Sequence, residues 1–173
     1  MNENRQAILV DRSCQGDDDA FRTLIELYRT TLYGTAYLMT RNHEMAEDVV
    51  QEALIQIWRH LPSYKFRGSL KAWLVRIVIN EAKQQFRKKR VAMDSLEERA
   101  VLADCEGCVE PYADRALLRD ELGRAVNALP REQREVVVLR FFSELTIPEV
   151  AAALNQREGT IKSRLSRALA RLR

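Results

Sequence analysis

TIPEVAAALNQREGTIKSRLSRALARLR, residues 146–173, is the stretch that decides the fold of this chain. Thr146 and Glu149 have the three-residue spacing of a capping box, so a helix is predicted to begin here. Asn155 tolerates the left-handed conformation in which helices often stop. A second helix follows, and its apolar residues recur at a spacing that predicts one buried face: Ile161, Leu165, Ala168, Leu169 and Leu172. The stretch therefore predicts two helices joined by a tight turn.

The opposite face of the second predicted helix is polar and mostly cationic. It carries Lys162, Ser163, Arg164, Arg167 and Arg171. A compact helix pair whose second member exposes cations has the form needed to enter the major groove of DNA. The sequence therefore predicts DNA binding.

The composition favours a helical protein with an uneven charge distribution. The chain has 173 residues, enough for one ordinary domain or two small ones, and only 6 glycines and 4 prolines. The formal net charge is +3, but basic clusters at 83–90 and in the C-terminal helix flank an acidic stretch at 94–114. Two basic ends around an acidic connector indicate two contacts with one polyanion.

The sequence contains no apolar run as long as a membrane span, and its N-terminus lacks the apolar core of a signal peptide. Three cysteines, an odd number in a cysteine-poor chain, fit a reducing compartment. We therefore expect a cytoplasmic protein.

Helical periodicity divides the chain into two parts. Apolar spacing predicts N-terminal helices at 5–14, 17–39, 44–60 and 69–89, with Trp58 and Trp73 in the core. Helices resume near residue 116, and Pro130 suits the first turn of a helix. We predict an all-α fold of two small helical domains: three or four helices at 1–90, a flexible acidic linker at 91–115 and a helix-turn-helix domain at 116–173.

Five segments, taken in order, resemble bacterial RNA polymerase sigma factors of the small, two-domain extracytoplasmic-function group, which is group IV of the sigma-70 family. The segments DAFR at 19–22, AEDVVQEALIQIW at 46–58 and FRGSLKAWLVRIVIN at 66–80 resemble the second conserved region of that family. LPREQREVVVLR at 129–140 and EGTIKSRLSRA at 158–168 resemble its fourth region. The resemblance covers nearly the whole chain.

The resemblance implies a protein that binds core RNA polymerase, recognises −35 and −10 promoter elements and melts the −10 DNA, in a stress or envelope response. The implied partners are the β′ clamp helices and β flap of the polymerase, promoter DNA and an anti-sigma factor. We expect no catalytic chemistry, cofactor, metal, membrane or small-molecule substrate. The alternative is a stand-alone helix-turn-helix regulator, for which the 46–58 and 64–80 segments would have no purpose.

The resemblance assigns polymerase binding to one face of the helix at 44–60. This face carries Asp48, Gln51, Glu52 and Ile55. The alternative is an ordinary solvated helix face, but an isoleucine among the polar residues favours a binding surface.

The resemblance assigns −10 recognition and melting to the loop at 64–68 and the following helix. Aromatic side chains that stack on unpaired bases are worth about 1–3 kcal/mol per base, and cations follow the DNA backbone. The matching residues are Tyr64, Lys65, Phe66, Arg67, Arg76, Asn80, Lys83 and Arg87. Asn80 suits contact with a base edge, and the cations suit phosphates. For Phe66 the alternative is a core position at the end of the loop.

Recognition of the −35 element is assigned to the last helix. The matching residues are Arg157, Gly159, Thr160, Lys162, Ser163, Arg164 and Arg167. Family members usually carry Gly, an apolar residue and Ser where this chain has Asn155, Gln156 and Arg157. We therefore expect the serine cap of the last helix to be missing and the −35 preference to be unusual.

Two features of the linker leave alternatives open. A fully extended linker of this length reaches about 80 Å, whereas family-like promoter elements lie about 50 Å apart. Free in solution, the two domains could instead close on each other and mask both basic faces.

Cys105 and Cys108 have the spacing of a thiol or zinc pair, but a closed zinc site needs four ligands. We take the two cysteines as incidental and keep a redox or metal switch as the alternative.

Overall fold

The structure, a computed structural model, describes residues 3–64, 69–94 and 123–172. Within these ranges it is helical and contains no strand. The helices are α1 Glu3–Cys14, α2 Asp18–Glu26, α3 Arg29–Thr40, α4 His43–His60, α5 Leu70–Asp94, α6 at 123–128, α7 Arg131–Val137, α8 Ile147–Leu154 and α9 Glu158–Arg171. A 3₁₀ turn, Leu61–Ser63, follows α4, and a π-helix, Val138–Phe142, continues α7. The predicted all-α fold is confirmed.

The N-terminal domain is formed by α1 to α5. Helices α3, α4 and α5 pack on one another, and α1 packs on α2. Leu24, Leu32, Ile57 and Leu74 are almost completely buried between these helices. Asn42 and Ser69 cap α4 and α5, because their side-chain oxygens accept hydrogen bonds from the N–H groups of Met45 and Ala72.

The prediction of one helix at 17–39 was wrong, because the chain turns between α2 and α3. Helix α2 ends at Glu26, and α3 begins at Arg29. The two helices pack on different neighbours, α2 on α1 and α3 on α4 and α5. Leu24 and Leu32 are buried on either side of the turn, so the apolar spacing continues through it and does not reveal it.

The C-terminal domain contains α6 to α9. Its own small core comprises Val126, Leu129, Val137, Val138 and Ala168. Pro130 is the N-cap residue of α7, with φ −51° and ψ 142°, and so lies just before the first helical turn for which it was predicted. Leu169, predicted on the buried face of α9, is 39% exposed, whereas Ile161 is fully buried. The predicted inward position of Leu165 and Leu172 is confirmed, because both side chains pack against the core.

The two domains are docked against each other. Val136, Leu139, Leu145, Val150 and Ile161 of the C-terminal domain belong to the same buried apolar cluster as the N-terminal core. The docking lies mainly between α3 and the π-helix and between α5 and α8. The hydrophobic core is therefore continuous across the two domains.

The predicted linker lies largely outside the described residues, as do Cys105 and Cys108. Helix α5 includes its first four positions, 91–94. The predicted domain limits at 90 and 116 therefore remain a prediction. Among the helices that the structure describes, none is long and apolar enough to cross a membrane.

The capping box at the start of α8 gives a test of this fold. We expect Thr146→Ala to lower the free energy of unfolding by about 0.5–2 kcal/mol, because the N–H of Glu149 loses its acceptor. Thr146→Ser keeps the hydroxyl and is the matched control. Urea denaturation followed by circular dichroism measures both variants. Equal stability of the alanine and serine variants would contradict the role of the cap.

Candidate nucleic-acid and polymerase interface

Helix α8 begins and ends as the sequence predicts. The side chain of Glu149 accepts a hydrogen bond from the N–H of Thr146 at 2.7 Å, and the Thr146 hydroxyl accepts one from the N–H of Glu149 at 3.5 Å. Asn155 has a left-handed backbone, with φ 52° and ψ 50°. The predicted capping box and left-handed stop are both confirmed, and the stop at Asn155 ends α8 just before α9.

Glu149 also connects α8 to the N-terminal domain. Partial burial acts to raise the pKa of its carboxyl, but hydrogen bonds from Thr146 and Ser69 and the charge of Lys71 lower it overall. The side chain is therefore a carboxylate at neutral pH. It caps α8 and at the same time accepts a hydrogen bond from the residue that caps α5.

The first turn of α9 is open to solvent. Arg157 is its N-cap residue and makes no side-chain capping hydrogen bond, as the absence of the usual serine predicts. Gly159 is exposed, and a Cβ at its position would have no neighbour within 4 Å. The unsatisfied N–H groups of a helix N-terminus attract anions. This end of α9 therefore has both the space and the polarity to meet a phosphate.

The predicted −35 residues on α9 fall into two groups. Lys162, Ser163 and Arg167 are exposed, and Thr160 is half-buried. Arg167 lies back on the helix, with its Nε 3.2 Å from the carbonyl oxygen of Ser163. Arg164 is only 17% exposed, and its Nη2 lies 2.8 Å from Oε2 of Glu132 on α7. Arg164 is thus held in place by α7, whereas Lys162 and Arg167 lie on the free surface.

The predicted −10 residues on α5 form one helix face. Arg76, Asn80 and Arg87 are exposed, while the Nζ of Lys83 lies 3.0 Å from a carboxylate oxygen of Glu135 on α7. Lys65, Phe66 and Arg67 lie outside the described residues. Tyr64 packs against the ring of Trp73, with the ring centroids 5.2 Å apart. Burial raises the pKa of Tyr64, so its phenol stays neutral at physiological pH.

An open cleft of about 620 Å³ lies between α5 and α7. It brings cations from both domains together with an aromatic ring: Lys83, Arg87, Arg131, Arg134 and Phe86. The guanidinium of Arg131 lies over the Phe86 ring, 5.1 Å from its centroid. Burial, and then the charges of Arg41 and Arg131, lower the pKa of Arg134. Sequence analysis missed Arg131 and Arg134, because their proximity to α5 arises from domain docking.

The predicted polymerase surface on α4 is exposed along its whole length. Asp48, Gln51 and Glu52 are exposed, and Ile55 is 44% exposed. Trp58, one turn further on, is 36% exposed, so its assignment to the core was wrong. Its ring packs in a T-shaped arrangement against Phe21 of α2, with the centroids 4.8 Å apart. Ile55 and Trp58 therefore form an apolar pair beside carboxylates, and their three-residue spacing is the signal that sequence analysis overlooked.

These features define a class of protein. A capped helix, a left-handed turn and an exposed cationic helix make a helix-turn-helix DNA-binding domain. A second helical domain, with its own exposed cations on α5 and an exposed apolar pair on α4, is joined to it in the same chain.

Comparison with known proteins gives the family. A model of sigma-70 region 2 matches residues 24–91, and a model of sigma-70 region 4 matches residues 119–172. The chain is similar to the extracytoplasmic-function sigma factor SigW of Bacillus subtilis, with 32% identity over 92% of this chain and 90% of that protein. It is also 33% identical to SigM of Mycobacterium tuberculosis, over 99% of this chain and 84% of that protein. The chain belongs to the sigma-70 family, as an extracytoplasmic-function sigma factor for RNA polymerase.

One solved structure extends the likeness to the arrangement of the domains. The sigma factor RpoE of Bartonella quintana, solved in complex with the anti-sigma factor NepR, is 31% identical. It superposes with a TM-score of 0.78 over 88% of this chain and 93% of that chain. No single domain of this chain is that large, so the superposition includes both domains.

The missing cap of α9 predicts that one substitution will stabilise the fold and weaken the contact with DNA phosphates. We expect Arg157→Ser to raise the free energy of unfolding by about 1 kcal/mol, because serine supplies the cap acceptor. We also expect the slope of the logarithm of the DNA-binding constant against the logarithm of the salt concentration to fall by about one. The reason is that a cation which contacts a phosphate is lost. Urea denaturation and fluorescence anisotropy at several salt concentrations measure the two effects. Gln156→Ser, one residue before the cap, is the control and should change neither quantity.

Proposed function

We propose that the two domains of this sigma factor divide the work of promoter recognition. In this proposal α9 binds the −35 duplex through the residues predicted for it, with Lys162 and Arg167 making the most accessible contacts. Asn80 and the cations of α5 bind the −10 element as it melts. The observation that carries the proposal is the presence of two separate exposed cationic helix faces, one in each domain of a chain that belongs to the sigma-70 family.

Polymerase binding is proposed for α4. Asp48, Gln51 and Glu52 surround Ile55, and Trp58 extends the apolar area by one turn. Interfaces are often dominated by a few apolar or aromatic anchors with polar residues around them. The proposed partner is the β′ clamp helices of core polymerase, while the C-terminal domain meets the β flap. The chain would then act in the cytoplasm, where core polymerase is found, without catalytic chemistry of its own.

An anti-sigma factor is a further proposed partner. The support is the relative from Bartonella quintana, which was solved with its anti-sigma factor and resembles this chain across both domains. A partner that binds both domains at once would withhold the chain from polymerase. A role in a stress or envelope response would follow from such control.

Run-off transcription tests the proposed function. Core polymerase is incubated with a fragmented bacterial genome, with and without the purified chain. New discrete start sites preceded by two shared sequence elements are the expected result. DNA binding without new transcripts would contradict the proposal and favour a stand-alone helix-turn-helix regulator.

The α4 surface gives a residue-level prediction. We expect Ile55→Asp to weaken binding to core polymerase about tenfold or more, as for the loss of an interface anchor. Ile8→Asp makes the same change at an exposed isoleucine on α1 and is the matched control. Competition for core polymerase against a labelled sigma factor measures the affinities. Equal affinities of the two variants would remove Ile55 from the interface.

A further inference from the structure

The cleft between α5 and α7 carries an excess of positive charge. Four cations line it, and the described part of its lining contains no carboxylate: Lys83, Arg87, Arg131 and Arg134. Glu135 lies beside it, with carboxylate oxygens 3.0 Å from the Nζ of Lys83 and 3.2 Å from the Nε of Arg131. Four cations less this one carboxylate leave three positive charges in excess. Charge of one sign concentrated in a concave surface attracts an ion of the opposite sign.

Arg134 is held in the cleft with part of its guanidinium unused. Its Nη2 donates hydrogen bonds to the carbonyl oxygens of Asn127 at 2.6 Å and of Leu129 at 3.3 Å, which fix the side chain. Its Nε–H is buried and has no acceptor in the part of the chain that the structure describes. Burial, and then the charges of Arg41 and Arg131, lower its pKa. An anion in the cleft would offset this repulsion and offer the guanidinium an acceptor.

The size and the aromatic wall of the cleft indicate a ligand larger than inorganic phosphate. Small-molecule sites usually have volumes of about 300–1,000 Å³, and this cleft has about 620 Å³. The half-buried Phe86 ring is an aromatic surface of the kind on which nucleobases stack. The guanidinium of Arg131 lies 5.1 Å from the centroid of that ring, so an aromatic face and a cation are adjacent. Asn80 and Gln84, which also line the cleft, can donate and accept hydrogen bonds at a base edge.

The cleft stays open to solvent although the domains are docked. Asn80, Arg87 and Arg131 on its two walls are exposed. Lys162 and Arg167 of α9 are exposed as well, so the docking does not mask the two basic faces, contrary to the hypothesis drawn from the sequence. A small ligand can therefore enter the cleft without movement of the domains.

We propose that this cleft binds a free nucleotide with two or more phosphate groups, as an effector and not as a substrate. Arg87, Arg131 and Arg134 bind the phosphates, and the Phe86 ring packs against the base. A phosphate ester carries about −1.5 to −2 charges at pH 7. An excess of three positive charges therefore matches two phosphate groups better than one.

The bound nucleotide has a consequence for promoter binding. Arg87 and Asn80 also belong to the proposed −10 face, so a nucleotide in the cleft competes with −10 DNA for them. This consequence rests on the proposed function. The binding itself goes beyond that function, because Arg131 and Arg134 have no part in it.

Calorimetric titration of the full chain with inorganic pyrophosphate, at constant ionic strength, tests the phosphate half of the site. We expect one pyrophosphate to bind per chain. Arg131→Gln should weaken this binding about tenfold or more, because a charged hydrogen-bond donor is lost. Arg59→Gln removes an exposed arginine of α4 outside the cleft and is the matched control.

The contrary results of this titration are specific. Absence of pyrophosphate binding at millimolar concentration would overturn the proposal, and so would equal affinities of Arg131→Gln and Arg59→Gln. A loss in Arg167→Gln as large as in Arg131→Gln would assign the binding to the basic surface in general. Circular dichroism checks the fold, and Arg87→Gln replaces an Arg131→Gln variant that fails to fold. The titration contains neither polymerase nor DNA, so failure of the proposed function in run-off transcription is a separate result.

Adenosine and guanosine diphosphates test the base half of the site. At least one of them should bind more tightly than pyrophosphate, and Phe86→Leu should remove the difference while the affinity for pyrophosphate stays the same. Equal affinities of both diphosphates and pyrophosphate would overturn the contact with a base. A short single-stranded oligonucleotide is titrated alongside. If it binds more tightly than either diphosphate and Arg131→Gln weakens it equally, the occupant is melted DNA and the proposal of a free nucleotide is wrong.

Discussion

The burial of four consecutive apolar residues, Val136 to Leu139, is the interaction on which the rest of the structure depends. Val136 and Leu139 join the N-terminal core, while Val137 and Val138 form the small core under α9. A helix that is apolar on all sides is buried on all sides. The segment from α7 into the π-helix is therefore the central element. It supports the DNA-binding helix on one side and holds the N-terminal domain on the other.

That central position also explains the charged contacts. Glu132 and Glu135 lie on α7, next to the buried run, and each holds a cation that the proposed function assigns to DNA: Arg164 and Lys83. Glu132 acts within its own domain and fixes Arg164 on α9. Glu135 acts between the domains and pairs with Lys83 of α5. The same helix therefore holds one cation of each domain.

Sequence analysis predicted the features that depend on local chemistry. The capping box at Thr146 and the left-handed stop at Asn155 depend on residues close in sequence, and so does the missing cap at Arg157. The exposure of Ile55 was predicted because an isoleucine stood among polar neighbours. In each case the side chain and its partner lie within one or two helical turns, so spacing alone carries the information.

Features that depend on packing between distant elements were missed. The turn at Leu27 and Tyr28 leaves the apolar spacing intact, so nothing local marks it. The close contact of the Phe142 ring with Gly34, which leaves no room for a Cβ, becomes visible only when the two domains are docked. The VVVL run at 136–139 did carry a signal. A helix that packs against one domain needs only one apolar face, whereas these four consecutive residues make the helix apolar on all sides. Its full meaning depends on the second domain that packs against it.

The central claim is that the buried run at 136–139 docks the two domains on each other in the free chain. The most direct test is the distance between spin labels on the exposed Cys14 of α1 and on an Ala170→Cys variant at the end of α9, with Cys105 and Cys108 replaced by serine. Pulsed electron resonance would be recorded for the free chain. The account predicts one narrow distribution of distances, because the domains are docked in a single arrangement. A broad distribution would contradict it.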